Sequence, residues 1–142
     1  MSKLKPSDKQ RLEVMKWFTT EIIEFNKGKV FEDFQKTSQL NFATVFAIEQ
    51  ISENSKHISE DVKNRHDSFP WREIVDIRNV IAHNYDGVHM DLVWDVVQNH
   101  LPELVDQIDE ILKNDLVLSQ EDGLSENQYK FNNIPIFKNK DY

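Results

Sequence analysis

The 142-residue chain contains no cysteine. That removes a disulfide scaffold, thiolate-ligated zinc or iron–sulfur centres and a thiol nucleophile in one step, and it permits a reducing compartment. Glycine and proline are scarce too, at 3 and 4 residues. A β-sandwich or barrel, which needs a turn roughly every 8–12 residues, is therefore poorly supplied, whereas long helices with few breaks are not. No run approaches the ~18 apolar residues of a membrane span, and Met1 to Lys9 is polar rather than signal-like. The expectation is a cytoplasmic protein with no membrane partner. Positive charge is in deficit, with 17 Lys and Arg against 25 Asp and Glu and a net charge of −8. Taken alone, this argues against a protein that grips phosphate backbones indiscriminately. What remains is an ordinary globular composition, 39% hydrophobic and 30% charged, long enough for one core and short for two.

Apolar residues recur at helical spacing in four stretches. Leu12, Met15, Phe18, Ile22 and Ile23 predict a first amphipathic helix from about Asp8 to the polar stop Asn26-Lys27-Gly28. A short helical piece is expected at Phe31 to Gln35, then a central helix of five to six turns from Thr37 or Ser38. Residues 60–69 carry no period and read as a linker closing at Pro70, a favourable first-turn residue for a helix running to about His83. Asn84-Tyr85-Asp86-Gly87 reads as a turn, and a last helical stretch follows from about Leu92 to Leu112, with Pro102 expected to kink or divide it near Asn99 or His100. The fold class is all-α, an antiparallel bundle of four to five helices spanning residues 8–113. Residues 114–142 form a polar C-terminal tail. Its Tyr129, Phe131, Ile134, Ile136 and Phe137 are open to docking on a partner or on the bundle, with disorder the default expectation.

The chemistry concentrates in Arg78-Asn79-Val80-Ile81-Ala82-His83-Asn84-Tyr85. Asn79 and His83 are four apart and share one helical face, so the Asn amide can hold one imidazole nitrogen and leave the other free. Arg78 and His83 are five apart, about 140° around the helix at ~100° per residue. They converge only if the helix unwinds near its end or if a second chain contributes. Glu49 and Glu53, four apart, are open to a paired-carboxylate acid/base site but are better read as a partly buried partner for Arg72 or Arg78 and a solvated side chain. Trp17, Trp71 and Trp94 sit in apolar stripes and are expected in the core or at a dimer contact. The remaining histidines match no ligand spacing, so no metal and no cofactor is expected.

The string Arg-Asn-x-x-x-His-x-Tyr, here Arg78, Asn79, His83 and Tyr85, resembles the HepT-like branch of the HEPN superfamily. So do its surroundings: Phe69-Pro70-Trp71-Arg72 upstream, Gly87-Val88 with Leu92-Val93-Trp94 and Leu101-Pro102-Glu103-Leu104 downstream, and Ile23-Glu24-Phe25 with Phe31 and Phe34 earlier. The resemblance implies a metal-independent endoribonuclease that acts as a homodimer, the toxin of a type VII-like toxin–antitoxin pair. It implies Arg78, Asn79 and His83 as catalytic residues at a dimer cleft, and an RNA substrate such as tRNA or mRNA. It also implies a cognate minimal nucleotidyltransferase as antitoxin partner, with Tyr85 the site of inactivating adenylylation. Tyr85 can equally pack its ring under the loop. Three positions depart from the family pattern: Asp76, Asp86 and His89, the first two adding carboxylates near the supposed cleft.

The chemistry fits those residue types. Cleaving RNA through its own 2′-hydroxyl needs a group to take that proton, a group to protonate the leaving 5′-oxygen and a cation for the phosphate charge. Imidazole suits either proton role near neutral pH, and a two-fold axis supplies two of them. Arginine's planar fork suits phosphate better than lysine does. The alternative function, from a different class, is a non-catalytic helical module that partners a nucleotidyltransferase, motivated by the acidic surface. Dividing the charge at the motif sharpens both readings. Residues 1–83 carry 13 basic and 13 acidic side chains, whereas residues 84–142 carry 4 and 12. The whole deficit lies after His83, leaving the half that would wall an RNA cleft neutral and offering an acidic C-terminal face to a partner.

Overall fold

The computed structural model describes residues 4–83 and 90–119, excluding the side chains of residues 82–83 and 115–119. The order is α1 (Pro6–Asn26), α2 (Phe31–Lys36), α3 (Ser38–Lys56), α4 (Glu60–Arg65), α5 (Trp71–His83), α6 (Met90–Asp95), a π-turn (Val96–His100) and α7 (Leu101–Ser119). Among the described residues there is no strand. The all-α expectation holds, with four long helical units and two short helices between them. None of these helices is long and apolar enough to cross a membrane.

The first two long helices form the centre. Pro6 opens α1 at a position where its missing N–H costs nothing, and Leu12, Met15 and Ile22 bury one stripe against α3 and α7. The contact with α3 carries small polar residues: Thr19, Thr44, Ser52 and Ser55 are all fully buried. Thr19 and Thr44 hydroxyls donate to the carbonyls of Met15 and Leu40, each at 2.7 Å, which satisfies them within their own helices. α1 stops where the composition predicted. Asn26 turns its amide onto Ile22 O (2.9 Å) and Thr44 Oγ1 (3.2 Å), and Gly28 takes a φ of 73°, a left-handed conformation that glycine adopts without steric penalty.

Two short helices clamp the ends. In α2, Asp33 accepts the Val30 N–H at 3.0 Å, and Phe34 is fully buried with its ring 5.4 Å from Trp94 of α6. α4 replaces the linker expected over residues 60–69. One buried apolar residue, Val62, is too little to show a period. Glu60 and Asp61 at its start and Lys63 and Arg65 at its end oppose the helix dipole, and an Arg65–Asp61 ion pair spans one turn. Its entry is held from afar, since the buried Asp8 carboxylate of α1 accepts both the Ser59 N–H (2.9 Å) and the Ser59 hydroxyl (2.7 Å).

After α4 the chain is locked by aromatic residues. Trp71 Nε1 donates to His66 O at 2.9 Å, the Phe69 and Trp71 rings lie 4.2 Å apart, and Pro70 precedes the first turn of α5. Trp17 meets Phe18 edge-on at 4.8 Å, so each tryptophan packs against at least one aromatic ring of its own chain. The break expected near Pro102 is the π-turn. Pro102 has no N–H for the Gln98 carbonyl and its ring crowds that oxygen. The chain widens instead of breaking, and the Leu101 N–H reaches Val96 O, five residues back. α7 then continues past Lys113 to Ser119, tied to α1 by Lys16–Asp109 at 2.7 Å.

Candidate active site

The core stripe of α5 is Ile74, Ile77 and Ile81, which packs on α3. Wheel geometry at ~100° per residue puts Glu73 on one flank of that stripe and Arg78 on the other, each roughly 70° away. Arg78 is half-buried and Asn79 is exposed. Position 83 is the last residue of α5, one turn after Asn79 and on its face. The structure thus brings Asn79 and position 83 into one register and leaves Arg78 on a neighbouring flank, with no unwinding of the backbone before His83. The side chain of His83, and all of Tyr85, lie outside the described residues, as do Asp86 and His89.

Asp76 lies on the same outer face, two turns before position 83. Arg72 reaches it at 4.0 Å across one turn, with both side chains mostly in solvent. This corrects one expectation: among the described residues no ion pair joins Glu49 to Arg72 or Arg78, because Arg72 is turned to Asp76. Glu53 meets His57 at 3.2 Å, an exposed contact within α3.

The end of α3 and the start of α5 are neighbours, since Ile51 and Pro70 line the same crevice, so the two helices run antiparallel. The His83 end of α5 is therefore level with the first turns of α3. There Phe42 and Phe46, one turn apart, are 57% and 49% exposed, and Val80 on α5 is 36% exposed. Large apolar side chains left half in water at the same end of the bundle as the polar motif mark a surface suited to a contact.

On the Glu73 flank, a crevice of about 410 Å³ separates α5 from the π-turn and α7. Its floor is apolar, built from Ile48, Ile51, Ile74, Ile77, Leu101 and Leu104. Its rim holds a cluster that periodicity at 3.6 residues per turn does not reveal. The wider π-turn brings both the fourth and fifth residues after Asp95 onto its carboxylate: Asn99 Nδ2 donates at 2.6 Å and His100 Nε2 stands at 3.4 Å. Pro102 was the signal available for it.

Comparison with known proteins bears on the motif helix directly. The family model described as Ribonuclease HepT-like matches residues 15–111, from the middle of α1 into α7, with α5 entirely inside. The chain is 34% identical over 110 residues to the "Probable ribonuclease HepT" of Thermococcus cleftensis, covering 78% of this chain and 100% of that one. It is 36% identical over 94 residues to the "Putative RNase TTE0752" of Caldanaerobacter subterraneus subsp. tengcongensis, covering 66% and 84%. No solved structure matches. A single family model across the bundle and its motif helix, with relatives aligned over most of their length, assigns this chain to the HepT-like ribonuclease family of the HEPN superfamily.

Proposed function

We propose that the protein is a metal-independent endoribonuclease that works as a homodimer, with His83 and Arg78 of both chains in one cleft. The observation that carries this reading is the family match across α5, the helix that ends in Arg78-Asn79-x-x-x-His83. His83 of one chain takes the proton from the ribose 2′-hydroxyl, and the freed oxygen attacks phosphorus. His83 of the other chain gives a proton to the departing 5′-oxygen. The products are a 2′,3′-cyclic phosphate and a 5′-hydroxyl. Arg78 neutralises the charge gathering on the non-bridging oxygens, and Asn79 orients the imidazole. The dimer supplies what one chain lacks, a second motif histidine, and the half-exposed Phe42, Phe46 and Val80 beside the motif are its contact.

Its role is that of a toxin held in check by a nucleotidyltransferase. Attack of the Tyr85 hydroxyl on the α-phosphate of ATP releases pyrophosphate and leaves AMP on the ring. Bulk and negative charge next to His83 then repel an RNA phosphate, which gives inactivation a plain electrostatic cause. The acidic 84–142 half is the face offered to that enzyme. The deciding experiment is RNA cleavage by the purified protein in EDTA. Cyclic-phosphate ends are expected from the native chain and none from His83→Ala at unchanged melting temperature. Cleavage persisting in that variant removes His83 from the mechanism.

A further inference from the structure

The crevice between α5 and α7 and the C-terminal tail are chemically matched. The crevice floor is aliphatic, and its rim carries Glu73, Asp95 and Glu103, with His100 beside Asp95. The helices beyond it extend the negative charge, with Asp91, Asp106, Asp109 and Glu110 against Lys113 alone. Between Tyr129 and Lys140 the sequence inverts that pattern: Lys130, Lys138 and Lys140 occur with no acidic residue, around Phe131, Ile134, Ile136 and Phe137. Thus three of the four basic residues after Asn84 lie beside the apolar cluster of the tail. We infer that residues 129–140 dock back along α7 of their own chain, with apolar side chains in the crevice and lysines on its acidic rim.

Reach permits it. Gln107, on the crevice wall, lies about 18 Å back along α7 from Ser119 at ~1.5 Å per residue. Residues 120–128 between them and the docking segment span up to about 30 Å when extended. The sequence suits an extended insert: Pro135 disfavours helix at Ile134, and in an extended docked segment Ile134 and Ile136 share one side. The crevice volume is within the ~300–1,000 Å³ of pockets that hold compact ligands. It accommodates some of these side chains and leaves the lysines outside, where the carboxylates are. Docking gives α5 a second support beside α3, so the segment acts on the motif helix from its Glu73 flank.

The absence of cysteine makes the test clean. A nitroxide is attached to the full chain at Asn139→Cys, and amide signals are read in chains diluted into an excess of unlabelled, nitroxide-free protein refolded with them. Selective attenuation at residues 73–77 and 100–107 that survives dilution is the expected result. Reversing the exposed rim with Glu73→Lys and Glu103→Lys is expected to abolish it, as is the tail variant Ile134→Ser, Ile136→Ser and Phe137→Ser. The inference is overturned by attenuation that vanishes on dilution, which assigns the tail to a second copy. Attenuation centred on Phe42 and Phe46, uniform attenuation, or an effect untouched by rim reversal overturns it equally. No outcome depends on RNA cleavage.

Discussion

The two flanks of α5 are a few ångströms apart and differ in chemistry. One flank carries the half-buried Arg78, and the first turns of α3, level with that end of α5, carry the half-exposed Phe42 and Phe46. The other carries Glu73 and descends into an aliphatic crevice rimmed by carboxylates. A thirteen-residue helix with one core stripe can hold both because the wheel separates them by roughly 140°. The difference teaches that the acidic net charge is not spread over the molecule. Residues 1–83 are balanced, whereas along the described last helices Asp91, Asp95, Glu103, Asp106, Asp109 and Glu110 stand against Lys113 alone.

The comparison breaks most severely at position 83. His83→Ala is expected to cost about 10²–10⁴ in cleavage rate, the usual worth of a proton-transfer group, with no change in Tm. Arg78→Ala should cost roughly 10²–10³, and Arg78→Lys should recover only part because the ammonium lacks the fork. Next comes the aromatic surface. Phe42→Glu with Phe46→Glu is expected to convert the protein to monomer in sedimentation and to remove cleavage while the circular dichroism stays helical. A dimer that persists would assign that surface another partner. Stability, not activity, separates the packed and crevice sides of the same stripe. Ile81→Ala, at a site 4% exposed, should cost ~2–5 kcal/mol in urea unfolding. Ile77→Ala, facing the crevice, should cost less, because a side chain already bordering open space leaves a smaller new cavity.

How much of this was legible beforehand follows from the size of each signal. α1, α3 and α5 were readable because each repeats its apolar stripe over several turns, and Gly28 and Pro70 mark where α1 stops and α5 starts. α4 was not, since six residues with Val62 alone cannot show a period, and its anchor, Asp8, is 51 positions away from Ser59. The π-turn was half legible: Pro102 located the disturbance, but only the structure decides between a kink and a widened turn. In the motif, the shared register of Asn79 and position 83 was a matter of spacing. The partner of Arg72 was not, because Asp76 and Glu49 were both within plausible reach, and the nearer one on its own helix won.

The smallest effect tests the outer face of α5 most finely. The Arg72–Asp76 pair is 4.0 Å long, both side chains are mostly exposed, and the cation precedes the anion, the weaker order along a helix. Its removal by Arg72→Gln should therefore change stability by less than ~0.5 kcal/mol. Yet Asp76 sits two turns before position 83 on one face, and losing its neighbour leaves an uncompensated carboxylate about 10 Å along the helix from position 83. RNA binding should weaken by a factor of roughly 2–3 at low salt, and the loss should fade as ionic strength shortens the screening length. Asp76→Asn should move binding the other way by a similar factor. A null effect of both variants at low salt would mean that RNA does not approach along that face.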